Sequence, residues 1–255
     1  MSSEATAKKK IKTILVSQPK PESDKSPYFD LGKKNKLKID FRPFIHVEGL
    51  TAQEFRKQRI QILDHTAIIF TSRNAVDHFF RLATESRVTV PETMKYFCMS
   101  EAIAFYLQKY VVYTKRKIFV GERKFSDLMP LIKKQINERY LLPSADKLKE
   151  DITNQLEESE VKFTRAIFYR TVISDLSDLE DVKYDMLVFF SPSGIKSLFH
   201  NFPDFVQGET RIAAFGATTH KAVADHNLRL DCTAPTSEYS SMTAAINSYV
   251  KSQLK

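Results

Sequence analysis

Residues 185–199, DMLVFFSPSGIKSLF, decide how this chain folds. Positions 186–190 are an unbroken apolar run, which suits a strand covered on both faces, as in a parallel sheet. The run stops at Ser191-Pro192-Ser193-Gly194, after which Ile195, Leu198 and Phe199 recur at helical spacing. Ser191 or Ser193 can cap that helix, because a serine oxygen accepts a free first-turn N–H. The stretch therefore reads strand, tight turn, helix. It presents backbone N–H groups and small hydroxyls at the carboxyl end of a strand, where open α/β sheets bind ligands and helix N-termini favour anions.

The same unit occurs earlier, at 66–80, TAIIFTSRNAVDHFF. Superposing Ser72 on Ser191 also matches Phe70 to Phe189, Phe80 to Phe199 and Asn74 to Ser193. Further on, KYFCMSEAIAFYL at 95–107 lies over RIAAFGATTHKAV at 211–223, with Ser100 on Gly216. FSDL at 125–128 then lies over YSSM at 239–242. Any two strand–turn–helix units resemble each other. Three segments in one order, at a nearly constant offset, favour two similar α/β halves instead.

The rest of the chain fits that plan. Strands are expected at 10–17, 37–41, 96–99, 117–120, 140–143, 212–215 and 228–232. Helices are expected at 26–31, 51–63, 101–110, 125–139, 218–225 and 240–254, and one capped by Ser144 that carries Leu148, Ile152 and Leu156. Lys33 to Lys36 reads as a solvated basic turn. Phe55, Ile60 and Leu63 are expected in the core, as are Leu128, Leu131, Ile132 and Ile136 by their three- and four-residue steps. Two extended pieces, 41–47 and 166–172, each follow a strand–helix–strand start. If they pair, the chain crosses twice between two lobes. Residues 48–165 then form a lobe inserted into one built from 1–43 and 172–255.

Composition narrows the class. With 255 residues, 42% of them hydrophobic, the chain can bury one large core or two smaller ones. No apolar run reaches the ~18 residues that suggest a membrane span. MSSEATAKKK has no signal-like apolar stretch and is expected to be a short disordered tail; a cytoplasmic location follows. Cys98 and Cys232, in different halves, read as buried thiols in a reducing compartment. The net charge of +8 suits a multiply anionic small molecule as well as solubility. No recognition-helix motif or aromatic RNA-binding signature accompanies it, so no nucleic-acid partner is expected. With only six glycines, neither GxGxxG nor GxxxxGK occurs; GxSxG, HxxxH and CxxC are also absent. No dinucleotide, P-loop, nucleophile-elbow or zinc chemistry is therefore expected. No apolar surface stripe demands a partner, which suits a monomer.

With the two serine turns, Gly216-Ala217-Thr218-Thr219 and the extended Phe168-Tyr169-Arg170-Thr171 quoted, the chain resembles uroporphyrinogen-III synthases over most of its length. The resemblance implies two flavodoxin-like α/β lobes with parallel sheets, joined by a two-stranded linker. Its recurring segments look like Phe70-Thr71-Ser72-Arg73-Asn74-Ala75-Val76, the YRT strand, the SPSG turn and the GATT turn. Two departures stand out. Ser17-Gln18-Pro19 replaces a frequent Thr-Arg-Pro, and Ser100 replaces a frequent glycine.

Such enzymes close hydroxymethylbilane into uroporphyrinogen III, inverting the last pyrrole ring with loss of water, and need no metal or organic cofactor. The resemblance implies a cleft in which Ser72, Asn74, Ser191, Ser193, Gly194, Thr218 and Thr219 bind the substrate. Tyr169 would give a proton to the departing hydroxyl. Hand-over from hydroxymethylbilane synthase is a further implied partnership. Arg73, Arg170 and Lys196 are additional carboxylate contacts to weigh. The competing reading is a tetrapyrrole-binding or regulatory protein that kept the fold without the chemistry, a reading that Gln18 favours.

Overall fold

The structure is a computed structural model that describes residues 10–179 and 183–253. Residues 1–9 of the expected N-terminal tail, and Leu254 at the end of the last expected helix, lie outside them. The chain divides into two units: one made of the residues up to His46 and those from Val172 onward, the other Val47–Thr171.

In chain order the first elements are β1 (Thr13–Val16), α1 (Pro27–Asn35), β2 (Lys38–Phe41), β3 (Ile45–Gly49) and α2 (Ala52–Arg56). Then come β4 (Ala67–Phe70), α3 (Arg73–Glu85), β5 (Lys95–Cys98), α4 (Glu101–Leu107), β6 (Ile118–Val120), α5 (Phe125–Lys133), β7 (Tyr140–Ala145), α6 (Glu150–Glu157) and β8 (Phe163–Ile173). The chain closes with β9 (Met186–Phe189), α7 (Pro192–Asn201), β10 (Arg211–Phe215), α8 (Ala217–Asp225), β11 (Cys232–Ala234) and α9 (Met242–Ser252).

The first unit holds a five-stranded sheet, β11-β10-β9-β1-β2, parallel throughout. Numbered along the chain within the unit this is the flavodoxin-like order 2-1-3-4-5. The second sheet runs β3-β8-β7-β4-β5-β6. Its strands β4 to β8 pair in parallel. At the edge, Leu50 N–H donates to the Phe168 carbonyl and Ser174 N–H to that of Phe44. Those partners run in opposite senses, so β3 lies antiparallel to β8.

The two sheets share one spatial order once β9, β10 and β11 are matched to β4, β5 and β6, and β1 and β2 to β7 and β8. Only the connection differs: the two-strand block comes first in one unit and last in the other. That permutation explains why a sequence self-match finds the three-strand block but not the other.

Parallel strands bury both faces, and these do. Each of β4 and β9 is buried along its whole length. Alternate residues serve opposite faces. Ile68 and Phe70 meet Val76, Phe79 and Leu82 of α3, whereas Ala67 and Ile69 meet Leu128 and Ile132 of α5. In the first unit Met186 and Val188 join Leu31 and Ile246 of α1 and α9; Leu187 and Phe189 join Ile195 and Leu198 of α7. Each such Val, Leu, Ile, Phe or Met side chain contributes roughly 1.5–3 kcal/mol of transfer free energy. Asp185, just before β9, accepts the N–H groups of Lys12 and Thr13 (2.9 and 3.0 Å) and so fixes β1 beside it. Cys98 and Cys232 are free and buried.

Several helix limits differ from expectation, each for a local reason. Lys33 and Lys34 belong to the last turn of α1, which closes on a left-handed Lys36. The helix expected over 51–63 is only α2. A Thr51–Glu54 capping box starts it, and left-handed Arg59 ends its path, while the Gln58 side-chain amide pairs with both backbone groups of Ile167 (2.7 and 2.9 Å). Leu63 accordingly falls in a 3₁₀ turn and is 54% exposed. Helix α5 stops at Lys133 rather than 139, because the Tyr140 hydroxyl lies within 3.1 and 3.0 Å of the Ile132 and Gln135 carbonyls. Ile136 is left 49% exposed.

Strand β7 runs through Pro143, which lies past the two residues, Tyr140 and Leu141, that pair with β4. Ser144 is a buried strand residue, not a helix cap: it donates to the Ala145 carbonyl and accepts from Arg165 Nε (both 3.1 Å), and α6 begins only at Glu150. The strand expected at 228–232 is displaced to β11, since the chain leaves α8 through left-handed Asn227.

Candidate functional site

In the second unit, β4 and β7 are neighbours whose following helices lead to strands on opposite sides. Such a switch point leaves a crevice at the carboxyl ends of the strands. Ser72 follows β4 there and caps α3, its Oγ accepting the Ala75 N–H at 3.1 Å. Tyr169 comes from β8, across β7. The pairing of β7 with β8 carries an irregularity that sets Ser144 against Ile167 but Ala145 against Tyr169. A bulge breaks strict alternation, and here Phe168 and Tyr169 are both buried.

The bulge aims the Tyr169 hydroxyl at Ser72 Oγ, 3.0 Å away. The Tyr169 backbone is held in turn by the Asp146 N–H, which donates to its carbonyl at 3.0 Å. His78, from the second turn of α3, stacks on the tyrosine ring with centroids 5.1 Å apart and planes at 23°. Burial raises the Tyr169 phenol, and the Ser72 hydrogen bond only partly opposes this. Burial, then the neighbouring Arg81 charge, holds His78 below the ordinary histidine value. The pair is therefore a protonated phenol against a neutral imidazole. Ser72, its oxygen already accepting from the helix backbone, can either give a proton to Tyr169 or take one. The arrangement suits delivery of one proton to a basic oxygen.

In the first unit the equivalent switch point lies between β1 and β9. Ser191 caps α7 as Ser72 caps α3, accepting the Gly194 N–H at 3.2 Å. Ser193 lies in the first turn of α7, half-buried. Gly194 is buried: a Cβ there would come within 3.3 Å of Phe189 Cδ1 and 3.7 Å of Ser17 Oγ. The missing side chain lets the turn sit close against the end of β1. On the next strand, β10, the chain turns at Gly216 with φ 86°, a left-handed value that favours glycine. Thr218 then faces out. Thr219 faces in, 1% exposed, and its Oγ1 has no hydrogen-bond partner among the described residues.

The structure thus joins Tyr169 to Ser72 in one unit, and gathers Ser191, Ser193 and Gly194 beside Ser17 in the other. Asn74 is exposed in the first turn of α3. Arg73 lies over the Tyr106 ring, 5.3 Å from its centroid. Arg170 is already engaged by Glu54 and Glu48 (3.0 and 3.3 Å), and Lys196 is exposed. Sequence reasoning missed Ser17, His78 and Asp146. The permuted match of β1 to β7 would have flagged Ser17, which ends β1 as Ser144 ends the matching run in β7. Nothing in the spacing marks His78. Among the described residues no group of three His, Cys, Asp or Glu side chains is arranged to hold a metal, and no helix is long and apolar enough to cross a membrane.

A search of curated sequences finds no significant match. Among solved structures, the fold is similar to uroporphyrinogen-III synthetase from Helicobacter pylori, with a TM-score of 0.61 at 17% identity over 94% of this chain and 99% of that one. It is also similar to a mutant uroporphyrinogen III synthase from Thermus thermophilus, with a TM-score of 0.53 at 15% identity over 95% and 98%. The family model for uroporphyrinogen-III synthase HemD matches residues 30–244, from within α1 to the start of α9, a range that holds Ser72, Tyr169, Ser191 and Thr218 and leaves out β1. This chain belongs to the uroporphyrinogen-III synthase family.

Proposed function

We propose that this chain is an active uroporphyrinogen-III synthase, a hydro-lyase that cyclises hydroxymethylbilane with inversion of its last pyrrole ring. The Ser72–Tyr169 hydrogen bond is the observation that carries the reading. The hydroxyl of the substrate leaves as water when the adjacent pyrrole nitrogen pushes electrons toward the breaking C–O bond and Tyr169 supplies a proton. The resulting cation is attacked by the far end of the chain, and a spiro intermediate rearranges. The proton lost when the last ring regains aromaticity restores the tyrosine, so water is the only other product.

Much of the remaining work is positioning a flexible substrate. The first turns of α3, α7 and α8 offer backbone N–H groups and hydroxyls to its carboxylates, through Ser72, Asn74, Ser191, Ser193, Gly194, Thr218 and Thr219. We further propose that the chain works as a cytoplasmic monomer supplied directly by hydroxymethylbilane synthase.

The test is to give freshly prepared hydroxymethylbilane to the purified protein, oxidise the products and separate the porphyrin isomers. Isomer III in excess over the spontaneous isomer I is expected. Isomer I alone, from protein that is folded and binds the substrate saturably, would assign the chain to the non-catalytic tetrapyrrole binders instead.

A further inference from the structure

At the other end of the second sheet, away from Ser72, lies a cavity of about 590 Å³ between the end of α3, the start of β5 and the loop that leads into β6. That volume falls within the range of small-molecule sites. Its walls are aromatic and aliphatic. Phe80 and Tyr110 stack face to face, with centroids 4.5 Å apart and planes at 3°, and Tyr96, Val111 and Ile118 are also in the lining.

The polar groups in this cavity divide into two kinds. The Tyr110 hydroxyl is committed to Asp77 at 2.7 Å. The Tyr96 hydroxyl makes no hydrogen bond among the described residues, although Tyr96 is only 5% exposed and burial pushes its phenol up to about 12. Lys117 is half-buried, and its ammonium joins no ion pair among the described residues. The two are fixed beside each other by adjacent strands, the Tyr96 N–H donating to the Lys117 carbonyl at 2.7 Å. The single carboxylate of the lining, Glu92, is exposed, as are Lys115 and Arg116, which precede Lys117 in the chain. An unpaired hydroxyl on a largely buried tyrosine and a half-buried cation without partners, set against a stacked aromatic wall, match one kind of ligand.

We propose that this cavity binds a flat aromatic acid, its rings against Phe80, Tyr110 and Tyr96, its anionic group on the Lys117 ammonium and an acceptor atom on the Tyr96 hydroxyl. The site is separate from Ser72 and Tyr169, and its occupancy does not require the synthase reaction.

Fluorescence titration of the full chain with anilinonaphthalene sulfonate, an aromatic anion, tests it. Saturable binding of one molecule per chain is expected. Lys117→Gln should weaken it ~10-fold or more, as loss of a charged hydrogen bond does, and Tyr96→Phe by ~2- to 10-fold. Tyr96→Phe keeps the ring that stacks on Phe70 at 6.1 Å, so its melting point should stay that of the parent and a weaker titration will not reflect misfolding. Lys115→Gln, a change to an exposed neighbour, should leave affinity unaltered. Absence of saturable binding, unchanged affinity in Lys117→Gln, or equal weakening in Lys115→Gln would overturn the proposal.

Discussion

Tyr169 holds its proton because burial disfavours the phenolate, while Ser72 keeps the hydroxyl in one place. Tyr169→Phe removes the proton and leaves the ring, with its stacking on His78, intact. Production of isomer III should therefore fall by roughly 10²–10⁴, the usual contribution of a positioned general acid. An undiminished rate in single-turnover assays would remove the tyrosine from the mechanism. Ser72→Ala acts differently. It strips α3 of its cap, which costs about 1 kcal/mol in denaturant titration, and it frees the tyrosine hydroxyl to wander. Tyr169 was legible from its YRT setting and Ser72 from its place after an apolar run. His78 was not, because ring stacking between a helix and a strand distant in sequence leaves no trace in residue spacing.

The strands were readable for a physical reason. A parallel strand buried on both faces must be apolar throughout, and β4 and β9 are. Helix ends are different, since they depend on groups distant in sequence. The hydroxyl that stops α5 belongs to Tyr140 in the next strand, and the amide beside the end of α2 pairs with β8. Ser144 has the sequence of a cap but is buried in the sheet beside Arg165. Tyr140→Phe isolates one such dependence. It leaves the Ile132 and Gln135 carbonyls without that donor at no cost in volume. Both keep a backbone donor, the N–H of Gln135 and of Glu138, so the loss is one hydrogen bond of ~0.5–1.5 kcal/mol, and the urea midpoint should fall accordingly with an unchanged slope. An unmoved midpoint would mean that the hydroxyl adds nothing to the backbone bonds that already close α5.

At the scale of the whole molecule, two buried thiols and the phenols of Tyr96 and Tyr110 set an alkaline limit. Burial pushes Cys98 from 9.0 up to about 12 and Cys232 up to about 11. Burial raises Tyr96 from 10.0 to about 12, and hydrogen bonding to Asp77, with burial second, raises Tyr110 to about 12. Each group binds its proton more tightly when folded than when unfolded. Their contribution is complete below the ordinary values and is lost as pH climbs from 9.0 toward 12. Urea midpoints should be level up to 9.0 and decline beyond it. A decline that begins at lower pH would place the control in other groups.

The permuted relation of the two sheets makes a topological prediction for the first unit. In the second unit α5 leads through residues 134–139 into β7. Their counterparts, α9 and β1, are the last and first elements among the described residues. If the shared strand order reflects a shared architecture, a bridge as long as 134–139 should join residue 253 to residue 12 without strain. New ends can be opened between Pro203 and Asp204, both exposed, where a cut disturbs little buried backbone. Such a permuted chain should fold and melt within roughly 4 °C of the parent, the shift that about 1 kcal/mol produces in a protein of this size. A chain whose second unit alone folds would show that the two sheets match in strand order but not in the placement of α9 and β1. The same experiment explains why the repeat was only half visible in sequence: a linear self-match cannot follow β1 and β2 to the far side of the three strands they join.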